Sequence, residues 1–186
     1  YKYDLVVNTL PKVEKKNITI QKNTHNIIPV DCPQGFIKVR FINATKPYQI
    51  DTRVMQESNP ATLNVQKMNT TDKYIVGKYN IEVLTLPRTY MTVDVTQSST
   101  VTVDVMAPGF LTYRAGNSVN AQVFVIRDTG KPEWVCNIDA TTLTGSWQLQ
   151  PGNYRIVYRQ KNLRSSSYTI EKNFRIYSNK TTSVNL

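Results

Sequence analysis

The chain has 186 residues, with 23 Lys and Arg against 13 Asp and Glu, and a formal net charge of +10. Val, Ile, Thr and Tyr are abundant, and no stretch carries a long apolar stripe at helical spacing, which excludes a helical protein and any helix crossing a membrane. A single His, two Cys and seven Gly leave too few groups for a histidine relay, a zinc centre or a phosphate-cradling glycine loop.

In chain order, the first predicted strand lies in Tyr3-Asp4-Leu5-Val6-Val7-Asn8-Thr9-Leu10-Pro11. Ile18-x-Ile20 and Ile28-x-Val30 follow as further strands, around a polar turn at Lys22-Asn23-Thr24. His25 lies in that turn and has no counterpart later in the chain, which places it at the surface. A Pro/Gly junction, Cys32-Pro33-Gln34-Gly35-Phe36, then opens a new apolar run.

The first motif returns as Tyr79-Asn80-Ile81-Glu82-Val83-Leu84-Thr85-Leu86-Pro87, with five of nine positions identical. Met91–Val95 and Val101–Val105 alternate apolar and polar residues with period two, the mark of half-buried antiparallel strands, and Thr96–Thr100 supplies the hairpin turn between them. A second junction, Ala107-Pro108-Gly109-Phe110, leads to a diverged third copy: Tyr154–Tyr158, Phe174-x-Ile176, the turn Asn179-Lys180-Thr181 and Val184-x-Leu186. The offsets are 79 − 3 = 76 and 154 − 79 = 75 residues, too long for a solenoid repeat, so each copy is read as a small domain or the end of one. The expected fold is all-β: tandem antiparallel β-sandwich modules, immunoglobulin-like or prealbumin-like, with almost no helix. The expected division is 1–34 as the C-terminal half of a preceding unit, 35–108 as one sandwich and 109–186 as another, in a piece of a longer protein with a further domain upstream.

Chemistry is sparse. Glu57, Glu82, Glu133 and Glu171 sit in unrelated contexts and form no glycosidase pair, and Asp128 and Asp139 are isolated. Cys32 and Cys136 occupy non-equivalent positions in different units, so no bridge is expected. The prediction is therefore no enzyme, no catalytic residue, no metal and no cofactor. The basic side chains spread over the chain, with small groups at Lys12, Lys15, Lys16 and at Arg155, Arg159, Lys161, Arg164, and no nucleic-acid motif accompanies them. Trp134 and Trp147 both belong to the last unit and both follow turn-rich segments. Each either fills the core of a small sandwich or stacks against a sugar ring; with Arg155 and Arg159 they are the candidate ligand-binding residues.

Leu149-x-Pro151-Gly152-x-Tyr154-x-Ile156, with the closing Thr181-x-x-Val184-x-Leu186, resembles the end of transthyretin-like and Cna B-type β-sandwich modules. Tyr79–Arg88 resembles repeats that follow von Willebrand factor A domains in secreted proteins of Bacteroidota-type bacteria. The resemblance implies small seven-stranded sandwiches strung along surface or secreted proteins. Lys, Asn and an acid do not recur at equivalent strand positions, so the isopeptide bond of some Cna B-type modules is not expected. The metal-adhesion motif of a von Willebrand domain is likewise missing here and would lie upstream. Two readings of function follow. One is a non-catalytic extracytoplasmic scaffold, stalk or protein-interaction module, partnered by a protein or a cell-surface polymer, with no nucleic acid and no membrane insertion. The alternative is a carbohydrate- or polyanion-binding module.

Overall fold

The computed structural model describes residues 2–138 and 141–186; Asp139 lies outside them. Strands dominate, and the one helical element described is a single 3-10 turn at Ser166–Tyr168. The all-β expectation holds. The chain divides into two compact units: Tyr1–Arg40, Gln49–Val83 and Tyr90–Asp104 form the first, and Phe41–Tyr48, Leu84–Thr89 and Val105–Leu186 the second.

In the order of the chain, β1 (Lys2–Val7) and β2 (Val13–Thr19) form an antiparallel two-stranded ribbon. Seven strands follow: β3 (Gln34–Ile42), β4 (Asp51–Gln56), β5 (Asn59–Lys67), β6 (Thr70–Ile75), β7 (Gly77–Val83), β8 (Thr89–Val95) and β9 (Thr100–Met106). They build a three-stranded sheet, β6-β3-β9, and a four-stranded sheet, β5-β4-β7-β8. Seven more come next: β10 (Gly109–Arg114), β11 (Val119–Ile126), β12 (Pro132–Ile138), β13 (Thr144–Leu149), β14 (Gly152–Gln160), β15 (Ile170–Ile176) and β16 (Thr181–Asn185). Their sheets are β13-β10-β16 and β12-β11-β14-β15, the same order strand for strand.

Alternation explains which faces are buried. Val119, Ala121, Val123 and Val125 of β11 point into the core with Tyr154, Ile156 and Tyr158 of β14, and Leu111 and Leu149 meet them from the other sheet. Residues between them, such as Asn120 and Gln122, face solvent. Ile37, Val39, Val54, Tyr74, Tyr79, Ile81 and Val83 are the corresponding buried side chains of β3 to β7.

Local devices recur at matching places. Tyr79 opens the buried run of β7 and donates its hydroxyl to the Ile75 carbonyl at 2.7 Å; Tyr154 does the same in β14 to the Gln150 carbonyl at 2.6 Å. Each ties a strand to the turn before it while its ring fills the core. Burial raises the Tyr79 hydroxyl pKa to about 12, and that of Tyr154 further still. Gly35 and Gly109 are needed for space. A Cβ on Gly35 would lie 2.2 Å from the Thr96 carbonyl oxygen, and one on Gly109 at the same 2.2 Å from that of Tyr177. In both sandwiches the last hairpin turn passes directly over the first strand. The turning residues Asn23, Ser98 and Asn179 all take φ near +60°, at the three positions where the polar turns were predicted.

One predicted element is corrected. Ile28–Val30 forms no strand, and nothing from Ile20 to Pro33 is extended in a ladder. A strand needs a partner for its backbone groups, and the strands at the corresponding place, β9 and β16, find theirs in β3 and β10. Among the described residues no strand pairs with residues 28–30. Their turn is instead held by the Asn26 side chain, which accepts from the Gln21 amide at 2.9 Å and donates to the Gln21 and Thr24 carbonyls.

Candidate functional site

The outward face of the β12-β11-β14-β15 sheet brings together an indole, a phenyl ring, amides and arginines. Three of its features come directly from register. Phe124 on β11 stands opposite Arg155 on β14, which stands opposite Asn173 on β15. On the other side Phe124 stands opposite Trp134 of β12. One row across the sheet therefore reads Trp134, Phe124, Arg155, Asn173. The next row along β11 holds Gln122 between Asn137 and Val157, and Asn120 faces Arg159 beyond it.

Trp134 is on this face because of a bulge. The ladder steps from Val123–Cys136 to Phe124–Trp134, leaving Val135 without an opposite residue on β11. Without that extra residue Trp134 would oppose Val125 and point into the core; with it, the indole is turned outward. It is 56% exposed, and its Nε1 donates to the Asn137 side-chain oxygen at 3.1 Å, which fixes the ring against the sheet.

The arginines are partly engaged. Arg155 donates to Asn173 at 3.0 Å and pairs with Glu171 at 3.3 Å, while Arg159 donates one hydrogen bond to the Arg164 carbonyl at 3.1 Å. A shallow depression of about 490 Å³ is lined by Asn120, Gln122, Asn137, Val157 and Arg159, among others.

Trp147 lies elsewhere. It sits on β13 opposite Leu111, half-buried, and packs on the core of the second unit. Trp134, Arg155 and Arg159 share the outer face of one sheet, and Trp147 belongs to the inner side of the other, so the two indoles do not form a common platform. Sequence reasoning missed Phe124, Asn120, Gln122 and Asn137. The alternation of Val119-Asn120-Ala121-Gln122-Val123-Phe124-Val125 would have assigned three of them to the outer face.

Among the described residues no group of three or more His, Cys, Asp or Glu is placed to hold a metal ion. His25 is exposed. Cys32 and Cys136 are both free thiols, and burial pushes the Cys136 thiol up to about 11. No helix among the described residues is long and apolar enough to cross a membrane.

No family model and no curated protein matches the chain. Among solved structures it is similar to the Bacillus anthracis TIE protein at 12% identity and TM-score 0.37, covering 94% of this chain and 37% of that one. It is similar to GBS52, the minor pilin of the gram-positive pathogen Streptococcus agalactiae, at 10% identity and TM-score 0.39, covering 82% of this chain and 94% of that one. A third is the shaft pilin SpaA of Lactobacillus rhamnosus GG, at 11% identity and TM-score 0.27, covering 83% and 97%. The chain thus spans little more than a third of the TIE protein. The sandwich fold stands on the chain's own strand order.

Proposed function

We propose that this chain is a run of non-catalytic β-sandwich modules, 35–108 and 109–186, that serves as a spacer or stalk in a larger extracytoplasmic protein. Residues 1–34 are then the back half of a preceding module. The observation that carries the reading is the pairing of first and last strands. In the second sandwich β10 and β16 run parallel, from Phe110 opposite Thr181 to Arg114 opposite Asn185. A pull on the two ends of that module loads its ladder along the strands, so the hydrogen bonds share the force and must break together. β3 and β9, the first and last strands of the other sandwich, are likewise neighbours. A spacer that transmits tension needs this arrangement, and a chain with few catalytic groups needs little else. Its working partners on this reading are the neighbouring domains of its own polypeptide and a protein or polymer at the cell surface.

Force spectroscopy on the chain held by its two ends tests the reading. The expected trace has two separate unfolding events, each lengthening the chain by roughly 200–250 Å, the contour of one sandwich at ~3.4 Å per residue less its folded span. A single event releasing the whole chain, or smooth extension without force peaks, would overturn it.

A further inference from the structure

We propose that the outer face of the β12-β11-β14-β15 sheet binds a linear acidic polysaccharide. Trp134 stacks beneath a sugar ring, the amides of Asn137, Gln122 and Asn120 take hydroxyls, and Arg155 and Arg159 hold carboxylate or sulfate groups. The proposal is independent of the stalk reading.

Four observations converge on it. First, the indole is both exposed and oriented. An exposed Trp normally swings, but the Asn137 hydrogen bond holds this one, so stacking costs little further ordering. Second, polar groups able to bridge vicinal hydroxyls lie beside it on the same face, with Gln122 opposite Asn137. Third, the face is positive: Arg155, Arg159 and Arg175 stand against Glu171, with Arg175 opposite Asn153 on the same side of the sheet. Trp134 and Arg155 are two strand spacings apart, roughly 10 Å, which suits an extended chain lying across the strands.

The fourth observation is the other sandwich. By ladder register, Met55 of β4 opposite Asn80 of β7 corresponds to Phe124 opposite Arg155. There Arg53 is bound to Glu82 and to the Thr62 hydroxyl, and Tyr90 donates to the same Glu82 at 3.2 Å. The same scaffold thus carries a closed network of opposite charges, without a pinned indole or an arginine row. What distinguishes the second face is side-chain chemistry that the strand order does not require. Trp134 and Phe124 are the two rings of this row, and the neighbouring positions carry amides and arginines, which suits a sugar better than single-stranded nucleic acid on a run of successive aromatic platforms.

The test is calorimetric titration of the full chain with hyaluronan oligosaccharides, heparin-derived oligosaccharides, dextran and oligo(dT). At least one of the two acidic glycans is expected to bind; hyaluronan alone assigns carboxylates as the partner groups, and heparin alone assigns sulfates. Dextran is expected not to bind, and affinity is expected to fall as salt rises. Trp134→Ala should weaken binding roughly tenfold, the weight of one aromatic contact, while Trp134→Tyr retains it. Arg159→Gln should weaken binding by several-fold and flatten the salt dependence. Both positions are at the surface, and circular dichroism melts of each variant should match the parent's. Lys12→Gln with Lys16→Gln, in the β1–β2 ribbon of the first unit, should change nothing. The proposal is overturned if neither acidic glycan binds, or if Trp134→Ala and Arg159→Gln both bind as the parent does. Equal loss in the lysine control, equal binding of dextran, or tighter binding of oligo(dT) overturns it as well.

Discussion

Tyr3–Val7 and Tyr79–Val83 share a sequence pattern and meet opposite fates. Tyr79, Ile81 and Val83 are almost wholly buried, whereas Tyr3 is 51% exposed and Leu5 and Val7 are only half-covered. Both segments are strands, and both are followed by the same Thr-Leu-Pro turn. The threonine hydroxyl donates to the proline carbonyl in each, at 2.6 Å from Thr9 and 2.8 Å from Thr85. The Leu10 carbonyl takes the Ile75 amide at 2.7 Å, and the Leu86 carbonyl takes the Gln150 amide at 2.8 Å. The difference is the neighbour. β7 lies between β4 and β8, while β1 has β2 on one side only. Local sequence therefore specifies strand, hairpin and turn, but burial is conferred by strands distant in the chain. Paired with β2 alone among the described residues, the same apolar pattern makes a ribbon with an open edge.

The largest test of that contrast is at the crossing of the last turn over the first strand. Gly35→Ala and Gly109→Ala push a methyl onto backbone carbonyl oxygens that cannot retreat, and each should cost at least ~3 kcal/mol in urea denaturation. Gly116→Ala, with open space around it, should cost less than ~1 kcal/mol. Next comes the core itself. Ile81→Ala should lose ~3–4 kcal/mol through the cavity it leaves, and Leu5→Ala under ~1 kcal/mol. Equal losses would mean that the ribbon is packed as firmly as the sandwich.

Smaller effects follow at the tyrosines. Tyr79→Phe and Tyr154→Phe each strand a carbonyl and should cost ~1–2 kcal/mol, against no measurable change for Tyr3→Phe. The pH dependence has a definite sign. Burial raises the Tyr79 pKa above its ordinary value of 10 to about 12, so its contribution is complete below pH 10 and is lost as pH rises towards 12. Tyr79→Phe should lose less stability than the parent between pH 10 and pH 12, measured by urea midpoints across that range. Smallest of all, iodoacetamide should label Cys32 before Cys136, whose buried thiol is held protonated well into alkaline pH.

Much of the fold is legible in the sequence because period-two alternation and turn chemistry are local. Met91–Val95, Val101–Val105 and Tyr154–Tyr158 lie within strands, and the glycine before each buried tyrosine begins β7 and β14. Ile28–Val30 misleads for the same reason that the ribbon is exposed: apolar alternation describes a willingness to pair, and among the described residues no strand pairs there. The candidate site is harder to read. Trp134 precedes Val135, Cys136 and Ile138, all buried, and only the bulge at Val135 turns the indole outward. A one-residue register step leaves no mark in composition or spacing. Arg155 and Arg159 are legible as a pair, four residues apart on one strand and hence on one face. Their rows with Phe124 and Asn120 depend on how β11 and β14 align.

Hydrogen exchange of the native chain, read residue by residue, tests the account most directly. Amides of Ile81 in β7 and Ile156 in β14, strands flanked on both sides, should exchange only by opening of their sandwich. Amides of β1 should split, those bonded to β2 protected moderately and those on the open edge exchanging at nearly the rate of an unfolded peptide. Protection in β1 equal to that in β7 at every position, or its complete absence across residues 2–19, would contradict the claim that one strand motif is buried or exposed according to its distant neighbours.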